Sequence, residues 1–294
     1  MVPDPVATVV GASGFIGNSL VGRFATLGVP IESFTRERPF PPVPGELGPD
    51  ATLPRTVFWL ATNINPAVAE ERPDLVDLDQ CTFEAALRAI EGSDRPPRVV
   101  LLSSGGTVYD TTFPPPYDET SPVSATTAYA RSKLALERAL CSSSLPPERR
   151  VVVRVANAYG PGQQARRGQG VVAHWLQAAA DGRPLVLIGD KESVRDYVYI
   201  DDIVDALVAI HRVDGALPPV LNVGSGHGTS LAELADTVLE VVGDRALTID
   251  ARPARGFDVS RTWLDSSLAE RALGWRPRTS LREGVAATWR AFTS

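Results

Sequence analysis

The chain has 294 residues, 44% hydrophobic and 22% charged, with a net charge of −6. That is a globular composition, long enough to bury a core without disulfides or metals. The acidic balance argues against nucleic acid as a partner. Two cysteines without CxxC spacing and three histidines without HExxH argue against a disulfide framework and a metal site.

In chain order, residues 7–10 form a short apolar run ending at Gly11, which reads as a buried strand. Residues 15–27 show helical spacing and stop at Gly28, a helix-ending signal. Residues 31–35 read as a second strand. Residues 38–55 hold six prolines and cannot form a regular element. Further strands are expected at 57–61, 99–103, 151–155, 186–188 and 220–223. Helices are expected at 75–90, 125–140, 171–180, 201–211, 231–242 and 281–292, with a loop at 160–170. Strands alternating with helices of this length predict parallel βαβ units. Residues 1–10 carry no basic, apolar leader pattern, and no run of about 18 apolar residues occurs. No signal peptide, no membrane span and a cytoplasmic location are therefore expected.

The first strand leads into Gly11-Ala12-Ser13-Gly14-Phe15-Ile16-Gly17 and then a helix. Gly11 permits the tight turn, Gly14 lets a pyrophosphate approach the backbone, and Gly17 lets helix and strand pack closely. The free N–H groups at the helix start suit an anion. A tight βα turn is the plain alternative, but the order of strand, turn and helix favours dinucleotide binding. At the end of the second strand, where an acidic residue usually binds the adenosine ribose, stand Thr35 and Arg36. A hydroxyl beside a guanidinium suits a 2′-phosphate, so NADP(H) is expected, with NAD(H) as the alternative. Arg36 as a solvated loop charge is the simpler explanation to exclude.

Tyr129 and Lys133 lie four residues apart on an expected helix, hence on one face. A free phenol titrates near 10, and a neighbouring ammonium stabilises the phenolate. Such a pair can exchange a proton with a sugar oxygen while hydride moves to or from a nicotinamide. The spacing is common on ordinary helices; it gains weight from the preceding strand end at Ser103-Ser104, where a partner hydroxyl would sit.

At this point the sequence resembles the extended short-chain dehydrogenases, in particular the nucleotide-sugar 4-epimerase, dehydratase and 4-ketoreductase group. The resemblance spans nearly the whole chain. It is carried by GASGFIG (11–17), FWLAT (58–62), SSGGTVY (103–109), YARSK (129–133), RVANAYGPGQ (154–163), VRDYVYIDDIVDA (194–206) and GWRP (274–277). It implies a doubly wound parallel α/β sheet of Rossmann type, with a smaller C-terminal α/β substrate domain. The cofactor domain would comprise 1–158 and 195–224, the nucleotide-sugar domain 159–194 and 225–294, and a homodimer is expected.

The resemblance assigns catalysis to Tyr129 and Lys133, with a hydroxyl from Thr107 or Ser104. It assigns the cofactor to Gly11, Ser13, Gly14, Phe15, Ile16, Gly17, Thr35, Arg36, Leu60, Ala61, Thr62, Ser103 and Ala156, together with Tyr129 and Lys133. The nucleotide-diphosphate sugar falls to Gly105, Asn157, Arg195, Arg255 and Asp258, the arginines gripping phosphate. An exposed ion pair is the plain alternative for Arg195 and Asp196. Four departures stand out. Gly105 replaces the usual catalytic Ser or Thr. Cys81 stands where an Asn is usual, and Asp110 where a Gly is. The segment before FWLAT is too short for a normal third strand and lacks the usual Gly-Asp pair. NADPH-dependent reduction of a 4-keto-deoxysugar is the leading expectation, drawn from Thr35-Arg36. NAD-dependent 4-epimerisation comes second, drawn from SSGGTVY, residues 65–67 and RVANAYGPGQ. A 4,6-dehydratase is disfavoured because Gly105-Gly106-Thr107 lacks its Asp-Glu pair. A non-catalytic NAD(P)-binding protein is the alternative of another class.

Overall fold

The computed structural model describes residues 7–40, 54–93, 95–165, 169–243, 248–253 and 261–293. The first half alternates strand and helix: β1 (Ala7–Val10), α1 (Phe15–Thr26), β2 (Ile31–Phe34), β3 (Thr56–Trp59), α2 (Pro66–Glu71), α3 (Pro73–Glu91), β4 (Arg98–Ser104), α4 (Ala128–Cys141) and β5 (Arg150–Val155). Then come β6 (Asn157–Tyr159), α5 (Val171–Ala180), β7 (Leu185–Ile188), β8 (Val194–Arg195), β9 (Tyr197–Tyr199), α6 (Ile200–Arg212) and β10 (Val220–Val223). The last described elements are β11 (Thr229–Ser230), α7 (Leu231–Val242), β12 (Ile249–Arg252), α8 (Ser267–Leu273) and α9 (Leu281–Thr293).

Six strands form one parallel sheet in the order β10-β5-β4-β3-β1-β2. Side chains alternate across it. Val9, Phe58, Val100 and Val153 enter a core shared with Leu20 and Phe24 of α1 and Ile203 and Leu207 of α6. Val10, Trp59, Leu101 and Val152 enter a second core with Phe83 and Leu87 of α3 and Leu136 and Leu140 of α4. Both faces are covered, which is why these strands read as unbroken apolar runs rather than alternating ones. The sheet is doubly wound, as the sequence implied. Among the described residues β2 is an edge strand; most of the proline-rich segment, 41–53, lies outside them.

Some boundaries moved for local reasons. The helix expected from 125 begins at Ala128, because the Thr127 side chain accepts the Ala130 N–H and caps it there. Strands β6, β8, β9, β11 and β12 and the short α8 were not anticipated; runs of two to seven residues are too short to show a period. Beyond the sheet, α5, α7 and α9 pack on one another. The GWRP segment clasps α6: the Trp275 indole N–H donates to the Asp202 carbonyl at 2.9 Å, and the buried Asp202 carboxylate accepts the Arg278 and Thr279 N–H groups at 3.0 and 3.1 Å. No helix among the described residues is long and apolar enough to cross a membrane.

Candidate active site

The turn between β1 and α1 has Gly11 at φ +91°, and a Cβ there would lie 2.6 Å from the Ala61 backbone nitrogen. A Cβ on Gly17 would lie 2.2 Å from the Gly11 carbonyl oxygen. Only glycine lets these three pieces of backbone meet. Gly14 caps α1 without any side-chain hydrogen bond, and Ser13 and Gly14 are exposed while Phe15 and Ile16 are half-buried. The first N–H groups of α1 therefore have no side-chain cap and face outward from a cradle that side chains would fill. Residues of this kind fit the pyrophosphate of a dinucleotide.

The neighbouring turn is held from below. The Leu60 N–H donates to the Val10 carbonyl at 2.9 Å, so residues 60–61 follow the glycine turn closely. The Thr62 hydroxyl donates to Asp79 at 2.7 Å, and Asp79 also accepts the Asn63 backbone N–H at 3.0 Å and its side-chain amide at 2.7 Å. Thr62 thus supports the turn with a hydroxyl already engaged. Asp79 of α3 went unnoticed in the sequence. Cys81, singled out instead, is exposed. Two residues on a helix turn the side chain by about 200°, so 79 faces the turn and 81 faces solvent.

At the expected adenosine end, Arg36 is exposed and makes no hydrogen bond to a described residue. The Thr35 hydroxyl donates to Glu37 at 2.7 Å. That bond, with backbone help and the charge of Arg36, holds the Glu37 carboxyl below the usual carboxylate range. A carboxylate therefore sits beside the two residues read as a phosphate site. Glu32 points elsewhere, into an ion pair with Arg38 at 2.8 Å.

Helix α4 carries the central pair. Lys133 is 6% exposed, and its ammonium lies 5.5 Å from the centroid of the half-buried Tyr129 ring. One turn further along, Glu137 anchors the helix. It accepts the Ser103 hydroxyl and pairs with Arg154 of β5 through Nη2 at 2.7 Å and Nε at 3.2 Å. Burial works against the Arg154 charge, but the hydrogen bonds and charge of Glu137 outweigh it and raise the pKa. The guanidinium also covers the Tyr109 ring at 4.9 Å, and the Tyr109 hydroxyl donates to Asn222 of β10 at 2.7 Å. Burial raises the Tyr109 pKa, so this phenol is a neutral donor in a structural network. Ser103, expected at the cofactor, is instead turned toward Glu137.

The strand-end segment explains its own departure. A Cβ on Gly105 would lie 2.5 Å from Leu264 Cδ1. Leu264 fills the place of the missing Ser or Thr side chain. Two residues on, the Thr107 hydroxyl is buried without a partner, and Ser104 is half-buried. A Cβ on Gly106 would touch the Asn157 amide at 3.5 Å, so Asn157 stands against this segment. Ala156 joins β5 to β10 through its N–H to the Val223 carbonyl at 3.0 Å. Arg195 is half-buried and donates to the Val194 carbonyl at 2.9 Å. Asp196 is no surface ion-pair partner: it is 1% exposed and accepts N–H and O–H donors. Arg255 and Asp258 lie outside the described residues.

A doubly wound parallel sheet with this glycine turn and this Tyr–Lys helix defines the extended short-chain dehydrogenase class. The chain matches the NAD dependent epimerase/dehydratase family over residues 7–224, and it belongs to that family. It is 32% identical to the UDP-glucose 4-epimerase of Mycolicibacterium smegmatis, covering 97% of each chain. It is 29% identical to the dTDP-6-deoxy-L-talose 4-dehydrogenase (NAD(P)(+)) of Kitasatospora kifunensis, covering 96% of this chain and 94% of that one. The crystal structure of the Thermotoga maritima UDP-glucose 4-epimerase with UDP-glucose superposes with a TM-score of 0.83 at 26% identity, covering 98% of both. The protein is thus a member of the nucleotide-sugar epimerase, dehydratase and reductase superfamily.

Proposed function

We propose that the protein is an oxidoreductase acting at C4 of a nucleotide-linked sugar, and that it reduces the C4 ketone of an NDP-deoxyhexose with NADPH. The observation that carries the redox reading is the buried Lys133 beside the half-open Tyr129, neither bonded to a described residue. A buried ammonium without an ion pair to a described residue is costly, and a pure binding module has no need of it.

The turn at Gly11, Ser13, Gly14, Phe15, Ile16 and Gly17 holds the pyrophosphate. Leu60, Ala61, Thr62 and Ala156 line the cofactor's course, and Lys133 donates to the nicotinamide ribose. When bound, the cofactor supplies a hydride to C4. Tyr129 gives its proton to the C4 oxygen as the C=O π bond opens, and the Lys133 ammonium stabilises the phenolate left behind. The Thr107 hydroxyl, buried and unpartnered, holds the same oxygen, with Ser104 as the second candidate. Asn157, Gly105, Arg195, Arg255 and Asp258 hold the nucleotide sugar. In this reading 1–158 with 195–224 serve the cofactor and 159–194 with 225–294 the sugar. The protein works in the cytoplasm as a homodimer.

The exposed guanidinium of Arg36, without a hydrogen bond to a described residue, favours NADPH. Glu37, hydrogen-bonded to Thr35, favours the second reading, because a carboxylate repels a 2′-phosphate and receives ribose hydroxyls. That reading is NAD-dependent 4-epimerisation, in which the same Tyr129 first removes the proton and later returns it. The test is a titration with NADP(H) and NAD(H), after an absorbance check for co-purified cofactor. Reversible NADPH binding that weakens about tenfold in Arg36→Ala, with NADH unaffected, supports the reductase. Co-purified NAD and weak NADPH binding sink it in favour of the epimerase. Binding without turnover of any 4-keto sugar nucleotide or NDP-hexose leaves a non-catalytic protein.

A further inference from the structure

The segments assigned to the substrate share one buried group. Asp196 Oδ1 accepts the Ser225 backbone N–H at 2.8 Å and the Ser225 hydroxyl at 2.6 Å. Oδ2 accepts the Leu264 N–H at 3.2 Å. The Asp196 carbonyl accepts the Asn157 backbone N–H at 2.9 Å and the Asn157 side-chain amide at 3.0 Å. No space remains around the group: a Cβ on Gly224 would lie 2.4 Å from Oδ2. Burial raises the Asp196 pKa, and its neutral donors offset this only in part, so each donor counts toward holding the charged form.

A carboxylate is an acceptor on every lone pair, so it takes donors from several directions at once. An Asn of the same size would turn an NH₂ toward N–H groups. What Asp196 joins is three stretches far apart in sequence: β6 with Asn157, the loop after β10, and the segment at 261–264, which is bridged to Val194 and Tyr117. It follows Arg195 directly, and the segment at 261–264 continues the stretch of sequence that holds Arg255 and Asp258.

We infer that Asp196 is the positioning residue of the nucleotide-sugar site, setting the mutual placement of the substrate-contacting segments without touching substrate itself. The inference rests on the substrate side proposed above and deepens it, since it separates the site into two independently adjustable halves. The glycine turn, α1 and the 60–63 turn do not touch Asp196, so dinucleotide affinity is independent of it.

The test is calorimetric titration of the full chain with UDP and with dTDP, and separately with NADP+. Asp196→Asn removes an acceptor, Gly224→Ala presses a methyl onto Oδ2, and Ser225→Ala deletes one donor. The expected result is a diphosphate Kd raised about tenfold or more in the first two and severalfold in the third, because each loses hydrogen bonding to a charged acceptor. NADP+ affinity should stay within about twofold in all three. If Asp196→Asn fails to fold, Ser225→Ala decides the matter. Diphosphate and NADP+ affinities falling in parallel would show a merely structural role, and unchanged diphosphate affinity would overturn the inference outright. A wild-type protein that binds NADP+ but neither diphosphate would overturn the substrate reading itself, and this inference with it.

Discussion

The two ends of the site crowd their glycines in different ways. At the proposed cofactor end a Cβ on Gly11 or Gly17 would meet backbone, at 2.6 Å from the Ala61 nitrogen and 2.2 Å from the Gly11 oxygen. At the proposed sugar end a Cβ on Gly105 or Gly224 would meet side-chain atoms of Leu264 or Asp196. Backbone inside a buried parallel sheet has nowhere to move, whereas a side chain can be exchanged for a smaller one. The first end is therefore fixed by the fold, and the second is tuned by pairs of residues. This contrast teaches where variation can enter: the Ser or Thr missing at 105 and the leucine at 264 are one change seen from two sides.

Four experiments break or sharpen the contrast. The largest effect belongs where the two ends meet. Tyr129→Phe should lower kcat by about 10²–10⁴ while thermal stability and NADPH titration stay as in the wild type. A kcat within threefold of wild type would remove Tyr129 from the chemistry. Next is the anchor beneath both ends. Glu137→Ala leaves the buried Arg154 charge unbalanced and should cost about 3–5 kcal/mol in urea unfolding. A loss below about 1 kcal/mol would show that the pair carries little, as exposed pairs do.

Acid should weaken the sheet region on its own. His211 is buried against Phe24 and Phe58, with Nδ1 3.1 Å from the Thr56 hydroxyl. Burial, reinforced by nearby arginines, lowers its pKa to about 4. The unfolded chain takes up a proton below about 6.5 that the folded chain refuses until about 4. This contribution is therefore complete above about pH 6.5, declines as pH falls toward about 4, and is flat below. The loss is about 3 kcal/mol, and it should vanish in His211→Phe. A slope that survives the substitution assigns it to other groups. The smallest effects test the glycines directly. Gly17→Ala and Gly105→Ser should each cost about 1–3 kcal/mol. Only the second should cost less in a Leu264→Ala background, with a coupling of about 1 kcal/mol in a double-mutant cycle. Strict additivity at 105 and 264 would erase the distinction between the two ends.

The cofactor end was legible because it is local. Strand, turn and helix follow one another within 20 residues, and Gly11, Gly14 and Gly17 each leave a mark in the sequence. The Tyr129–Lys133 stripe was legible for the same reason. What stayed hidden were partnerships across the chain. Asp79 supports the 62–63 turn from 16 or more positions away, Leu264 fills the notch at Gly105, and Glu137 reaches both Ser103 and Arg154. Asp196 looked like half of a surface ion pair because it follows an arginine, and no local pattern announces that its carboxylate turns inward. Ser103 misled for a similar reason: strand alternation decides which of two adjacent serines faces the helix, and the sequence offers both. Glu37 is equally silent in the sequence, because only the turn that brings its carboxylate back to the Thr35 hydroxyl reveals it.

The clasp between α6 and the segment at 275–279 bears on how the chain is made. Helix α6 lies on the face of the sheet and is followed at once by β10, an edge strand of that sheet. Yet among the described residues the side-chain carboxylate of the buried Asp202 receives its N–H partners from Arg278 and Thr279. During synthesis from the N-terminus, the Asp202 carboxylate lacks these donors until the segment at 278–279 has left the ribosome, and a buried carboxylate without donors is costly. Ile203 and Leu207 can already pack on the sheet by then, so the last segment adds the polar half of the seating of α6 to an apolar half made earlier.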